Sequence, residues 1–332
     1  MSTSDKIKSN DGICEVNEML QNMNTNDTEV VVCANCGRTG RDINNICNKC
    51  NQVRYCNAVC KKKHRHKHKK DCEEHNRLAA ERAAELHEIE LFKQPPSQYG
   101  DCPICFERLP TLADGYRYQT CCGKLVCCGC AFAPVYDDQG NEVDNNKCPF
   151  CRTPDPRTNE EAINRLKKRV ELDDPIAIYN QGMYYREGTD GFPQDMNKAL
   201  ELFHRAVELG YSEAYTNIGV AHHNGQGVEV DKKKMKHYYE RAAMMGDPTA
   251  RHNLALDEKT AGNFDRALKH YMIAVRGGYT CSLDAIKLMY TDGDATRDDY
   301  TKALQAYQTY LGEIKSVQRD KAAAADEENR YY

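Results

Sequence analysis

Seventeen of the eighteen cysteines lie at or before Cys151, and one, Cys281, lies beyond it. No other feature narrows the possible folds as much. The clustered cysteines come largely in C-x-x-C pairs, and the opening residues MSTSDKIKSNDGICEVNEML lack the apolar core of a secretory signal. That combination points to metal thiolate sites in a reducing compartment rather than to disulfides, with zinc the expected ion. A chain of 332 residues exceeds one ordinary core, and 29% charged with 40% hydrophobic residues describes a multi-domain, largely helical chain. A formal net charge of -4 gives no whole-molecule attraction to nucleic acid or to anionic membrane. No stretch approaches the roughly 18 apolar residues of a membrane span. The expectation is a cytoplasmic or nuclear protein, neither secreted nor membrane-bound.

The composition shifts divide the chain. Residues 1–29 are polar without apolar periodicity and read as a disordered leader holding Cys14 as a free thiol. Cysteine clusters occupy 33–72 and 101–153. Between them, 73–97 reads as a helical linker, rich in Ala, Glu, Leu and Arg and stopped by Pro95 and Pro96. Thr158 and Glu161 have capping-box spacing and open a third region over 158–318, leaving 319–332 as a C-terminal tail. The expected fold class is mainly α: two small cross-brace zinc modules, then an α-solenoid of stacked helix pairs.

The third region repeats. A basic residue, a small or flexible apolar residue and a ring recur as Lys198-Ala199 with Phe203, Lys234-Met235 with Tyr239, Arg266-Ala267 with Tyr271, and Lys302-Ala303 with Tyr307, in steps of 36, 32 and 36. Ala206 with Gly210, Ala242 with Gly246, and Ala274 with Gly278 keep the same register, placing a glycine at each helix end. Such periods mean stacked helix pairs. The short step reflects HNGQGVEVD shrinking to TAGNFD, a deletion in a connection. These residues resemble Sel-one-like repeats, relatives of tetratricopeptide repeats, over roughly 174–312. The resemblance implies a right-handed superhelix with a concave protein-binding surface.

In the first cluster, Cys33, Cys36, Cys47, Cys50, Cys56 and Cys60 form three pairs, while His68 and Cys72 stand four apart on one helix face. Eight ligands make two tetrahedral zincs, and so short a stretch must draw most of its folding free energy from metal. The spacing, with Tyr55 before Cys56 and the tail Cys60-x3-His64-x3-His68-x3-Cys72, resembles the MYND-type zinc finger. That family's interleaving implies Cys33, Cys36, Cys56 and Cys60 on one zinc, and Cys47, Cys50, His68 and Cys72 on the other. It also implies binding of short, often proline-containing peptides, although Arg65 stands where the family often has tryptophan. The run KKKHRHKHKK over 61–70 can also be read as a nucleic-acid patch or import signal. A solvated helix face is the simpler reading, and nucleic acid is not an expected partner.

In the second cluster, Cys102, Cys105, Cys121, Cys122, Cys127, Cys128, Cys130, Cys148 and Cys151 put nine thiols to eight places. The opening CPIC, the dense middle group and the closing CPFC resemble a RING finger. Carried over, Cys102, Cys105, Cys127 and Cys130 form one site, with Cys148 and Cys151 in the other. Lys124 stands where a histidine ligand is usual, so an all-cysteine variant is implied. In it Cys121 and Cys122 complete the second site and Cys128 is spare. The total is then four zincs per chain. The resemblance implies a ubiquitin-protein ligase with no covalent catalytic residue. Ile104, Pro149 and Arg152 would contact a ubiquitin-conjugating enzyme, and finger and repeats would bring substrate proteins. The alternative is a non-catalytic protein-interaction scaffold.

Overall fold

The computed structural model describes residues 31–40, 43–111, 115–133, 135–136, 142–143, 146–325 and 329–331. The expected leader 1–29, with Cys14, lies outside them. The chain forms two compact units, one ending at Glu90 and one beginning at Leu91.

In the first unit, β1 (Asn45–Ile46) pairs antiparallel with β2 (Arg54–Tyr55), with Asn45 opposite Tyr55. The turn between them carries Cys47 and Cys50. Ile43, Cys33 and Tyr55 form a small buried core with Cys47 and Cys72. The helix expected from residue 73 begins much earlier: α1 runs Ala58–Leu91, 34 residues. It starts inside the finger because the tail spacing of Cys60, His64, His68 and Cys72 is itself helical. Beyond Cys72 the helix is polar on almost every side, and Leu78, Leu86 and Ile89 are exposed. Strong helix formers and local ion pairs, such as Arg77 with Glu74 and Glu81 at 2.6 Å each, sustain it.

In the second unit, β3 (Tyr116–Gln119) and β4 (Lys124–Cys127) make a hairpin with Tyr116 opposite Cys127, followed by the short α2 (Cys128–Phe132). A second small pair joins β5 (Val135–Tyr136) to β6 (Glu142–Val143). Helix α3 (Asn159–Glu171) follows, and the Thr158 hydroxyl accepts from Glu161 N at 3.1 Å, as the capping-box spacing requires.

Four helix pairs come next: α4 (Pro175–Glu187) with α5 (Met196–Glu208), α6 (Ser212–Asn224) with α7 (Lys232–Met244), α8 (Pro248–Thr260) with α9 (Phe264–Arg276), and α10 (Thr280–Asp292) with α11 (Arg297–Ile314). Asp174 and Asp247 cap α4 and α8 from side-chain oxygens, each with proline at the first helical position. The repeat register maps onto the second helix of each pair. Ala199, Phe203, Met235, Tyr239, Ala267, Tyr271 and Ala303 are buried, and the lysines beside them are exposed. Gly210, Gly246 and Gly278 have φ of +88°, +99° and +89°, a left-handed turn that favours glycine. The 32-residue step appears as a connection of Ala261, Gly262 and Asn263 between α8 and α9.

The stretch 319–332, expected as a tail, contributes to the core. Helix α12 (Val317–Ala325) packs on α2, burying Arg319 and Ala322, and Tyr331 is buried beyond it. On the other flank, Arg251 donates to Leu91 O, the Phe92 ring lies 4.5 Å from His270, and Gln98 Nε2 lies 3.4 Å from Ser212 Oγ. Direct bonds also join the second cysteine module to the repeats. Tyr118 OH donates to Asp174 Oδ2 at 2.8 Å, and Thr111 N donates to Tyr310 OH at 2.8 Å.

Candidate metal centres

Four groups of ligand atoms converge, each with all its atoms within 4.8 Å of one another: Cys33, Cys36, Cys56 and Cys60; Cys47, Cys50, His68 and Cys72; Cys102, Cys105, Cys127 and Cys130; Cys121, Cys122, Cys148 and Cys151. The structure thus brings together all sixteen residues expected as ligands, in the groupings the two resemblances imply. Cys128 joins none of them. It points from α2 into a buried cluster with Tyr310, Ile314 and Tyr331.

The separations fit zinc. Four sulfurs at a Zn–S distance of about 2.3 Å around a tetrahedron stand about 3.8 Å apart. Cys36 and Cys56 are 3.7 Å apart, and the pairs Cys47–Cys72, Cys105–Cys127 and Cys122–Cys148 are each 3.8 Å apart. His68 Nε2 lies 3.2 Å from Cys50 Sγ. Soft donors in fours, closed off by their own side chains, are the chemistry of a structural zinc.

The turns holding four of the pairs share a feature that spacing alone did not reveal. Gly37, Asn51, Phe106 and Arg152 each follow the second cysteine of a C-x-x-C and have φ of +72°, +52°, +58° and +61°. Each donates its N–H to the carbonyl of the first cysteine, at 2.9 Å in all four cases. The left-handed residue folds the chain back so that both sulfurs face one point. Backbone N–H groups aim at the sulfurs as well: Cys130 N at Cys127 Sγ, 3.4 Å, and Cys151 N at Cys148 Sγ, 3.5 Å. The signal lay one position past each of these four pairs, where Gly37 and Asn51 are residues that favour such a turn and Phe106 and Arg152 are not.

Electrostatics in the groups point the same way. Burial raises Cys33 and Cys47, but backbone N–H bonds outweigh it and bring each thiol down to about 6. Cys102 is held down at about 4, chiefly by the hydrogen bond from Cys127, while Cys72 and Cys130 are pushed up to about 12 by burial and neighbouring thiolates. Clustered thiolates repel, so within a group one ionises early and others late. A dication at the centre removes that conflict.

Other expected residues fall as follows. Ile104 is half-buried against the cluster of Cys102, Leu109, Val126, Cys127 and Cys130, Pro149 is half-buried, and Arg152 is exposed. In the finger, Tyr55 OH lies 3.2 Å from His64 Nδ1, giving that tail histidine a supporting part, and Arg65 is exposed. Most of 61–70 is solvated, with His68 buried as a ligand candidate. His222 is buried and stacked on Tyr238 at 5.7 Å, consistent with repeat packing. No helix among the described residues is long and apolar enough to cross a membrane.

Comparison with known proteins places names on two of these parts. Residues 33–72 match the MYND finger, and residues 175–211 and 212–247 match the Sel1 repeat. A curated relative, chitin synthase regulatory factor 3 of Schizosaccharomyces pombe (strain 972 / ATCC 24843), is 32% identical over 100 residues, which is 29% of this chain and 11% of that protein. The chain therefore spans about a tenth of that relative's length. Among solved structures, a Sel1 repeat protein from Oxalobacter formigenes is 26% identical, with 53% of this chain and 74% of that one covered and a TM-score of 0.41. A protective antigen of uropathogenic Escherichia coli strains, displaying an SLR fold, is also 26% identical, with 49% and 35% covered and a TM-score of 0.39. The chain carries a zinc-binding MYND finger and Sel1 repeats, two kinds of module that generally mediate protein–protein contacts.

Proposed function

We propose that the second cysteine module is a RING-type finger that recruits a ubiquitin-conjugating enzyme, and that the MYND finger and the repeats supply substrate proteins. The observation that carries this reading is the interleaving of its ligand atoms: the first pair converges with the third and the second with the fourth, within 4.8 Å in each group. A RING module positions a ubiquitin thioester for attack by a lysine and needs no nucleophile of its own. Arg152 is exposed directly after Cys151, where a guanidinium can hydrogen-bond both partners at once, and Ile104 and Pro149 keep part of their apolar surface accessible. The ligand sets are those of the four groups, giving four zincs per chain.

One observation favours the scaffold reading instead. The covering of α2 by α12 leaves less of that helix free for a conjugating enzyme, although Phe132 is 38% exposed. The likeness of 100 residues to a chitin synthase regulatory factor also supports a partner-gathering part. Autoubiquitination with a panel of conjugating enzymes separates the two. Wild type is expected to give ubiquitin ladders that Arg152→Ala and Ile104→Ala lose, at unchanged zinc content. A wild type inactive with every enzyme removes the ligase reading and leaves the scaffold.

A further inference from the structure

The residue least explained by either reading is Arg319. Its side chain is completely buried, although arginine is among the residues least often found so. It lies in α12, about 190 positions after the ligand candidates it approaches. Nη1 donates to Ile314 O at 2.5 Å and Nη2 to Glu107 O at 3.4 Å, so the guanidinium ties its own helix to the turn that follows Cys105. Nε has no hydrogen-bond partner. Its positive charge acts on the Cys127 thiol and also faces Cys105 and the neighbouring Cys128. In the preceding residue, Gln318 Oε1 accepts from Cys130 Sγ at 3.6 Å.

The approach is built into the sequence around the ligands. Gly129 separates Cys128 from Cys130, and a Cβ added there would stand 2.7 Å from Arg319 N and 2.9 Å from Arg319 Cγ. Only glycine lets α12 come this close. Four thiolates around one Zn2+ leave a net charge of about -2, which a buried site must balance from its surroundings. A guanidinium buried beside the site that cannot lose its proton provides that balance.

We propose that Arg319 is an outer-sphere positioning residue for the zinc held by Cys102, Cys105, Cys127 and Cys130, so that this site's grip on its metal depends on α12 being docked. N–H donors to thiolate sulfur lower the charge on the ligand and slow its replacement, and removal of such a partner typically weakens metal binding by roughly 10–100-fold. The inference rests on a metal in the second module, not on ubiquitin transfer.

The test uses the full chain and two readouts. Zinc release to a chelator is followed for wild type, Arg319→Gln and Arg319→Lys. Arg319→Gln is expected to release the second module's zinc roughly 10–100-fold faster, with the MYND finger's ions leaving at the wild-type rate, and Arg319→Lys to fall between. In the Co2+-substituted protein, loss of the N–H···S contact is expected to move the sulfur-to-cobalt charge-transfer band to lower energy. A guanidinium that merely holds the helix would leave that band in place, so an unmoved band overturns the proposal, as does an unchanged release rate. If Arg319→Gln does not fold, Arg319→Lys alone decides by the same band. A wild type that holds only two zincs overturns the metal site and the proposal with it, whereas a wild type with four zincs and no ligase activity leaves the proposal standing.

Discussion

Glu213 shows how a single side chain records its surroundings. Its carboxylate accepts from Tyr211 OH at 2.9 Å and from Gln98 Nε2 at 3.4 Å, and burial, then the charge of Asp247, raise its pKa to about 8. The folded chain therefore holds a proton that the unfolded chain gives up near pH 4.5. Stability from this group is complete below that pH and is lost as pH climbs toward 8. Glu213→Gln is expected to match wild type near pH 5 and to exceed it by about 1–2 kcal/mol near pH 8, in thermal melts at fixed zinc. Phe106 makes the opposite point about backbone. It is 78% exposed at φ +58°, where a bulky residue costs about 1 kcal/mol, so Phe106→Gly is expected to retain zinc at least as well as wild type in a chelator competition. At this scale the ligands were legible because C-x-x-C and the four-residue spacing of His68 and Cys72 are local rules. Arg319 was not, because nothing near it in the sequence says that its partner is Glu107 O and that its charge lies beside Cys127.

Among the helices, the repeat register was legible in outline, since the same small residue, ring and glycine must recur wherever the same helix pair recurs. What surrounds each glycine could not be read, because neighbouring repeats differ there. Gly210 and Gly278 hold equivalent positions with φ of +88° and +89°. Around Gly210 nothing lies within 4 Å of an added Cβ, whereas at Gly278 the Tyr310 ring would stand 2.2 Å away. Gly210→Ala is expected to cost about 1 kcal/mol, for the backbone alone. Gly278→Ala should cost about 3 kcal/mol, because Tyr310 must move as well. Chemical denaturation of the two variants, compared at equal zinc, measures the difference. The early start of α1 follows from the same kind of reading: a helical ligand spacing was present at Cys60, and the expected boundary at residue 73 treated it as the end of a finger rather than the first turns of a helix.

Taken whole, the chain is less modular than its cysteine clusters suggest. Everything from Leu91 onward is one compact unit, with the second zinc module held by its own flanks, 91–98 on one side and α12 on the other. Thiol chemistry reads this arrangement directly. In the zinc-loaded protein Cys281, which is exposed, should react readily with iodoacetamide, while Cys128, fully buried in the α2 cluster, should not. Mass spectrometry before and after chelation is expected to show the fifteen cysteines of the four groups becoming reactive only once metal is removed. The same interleaving of pairs has a consequence for assembly. An ion that joins Cys102 and Cys105 to Cys127 and Cys130 closes a loop that already contains Cys121 and Cys122, so much of the chain entropy needed for the next ion has been lost before it arrives. If both groups of the second module take zinc as proposed, the second ion is expected to bind more tightly than the first through chain statistics alone, leaving a half-loaded module scarce in a zinc titration followed by native mass spectrometry.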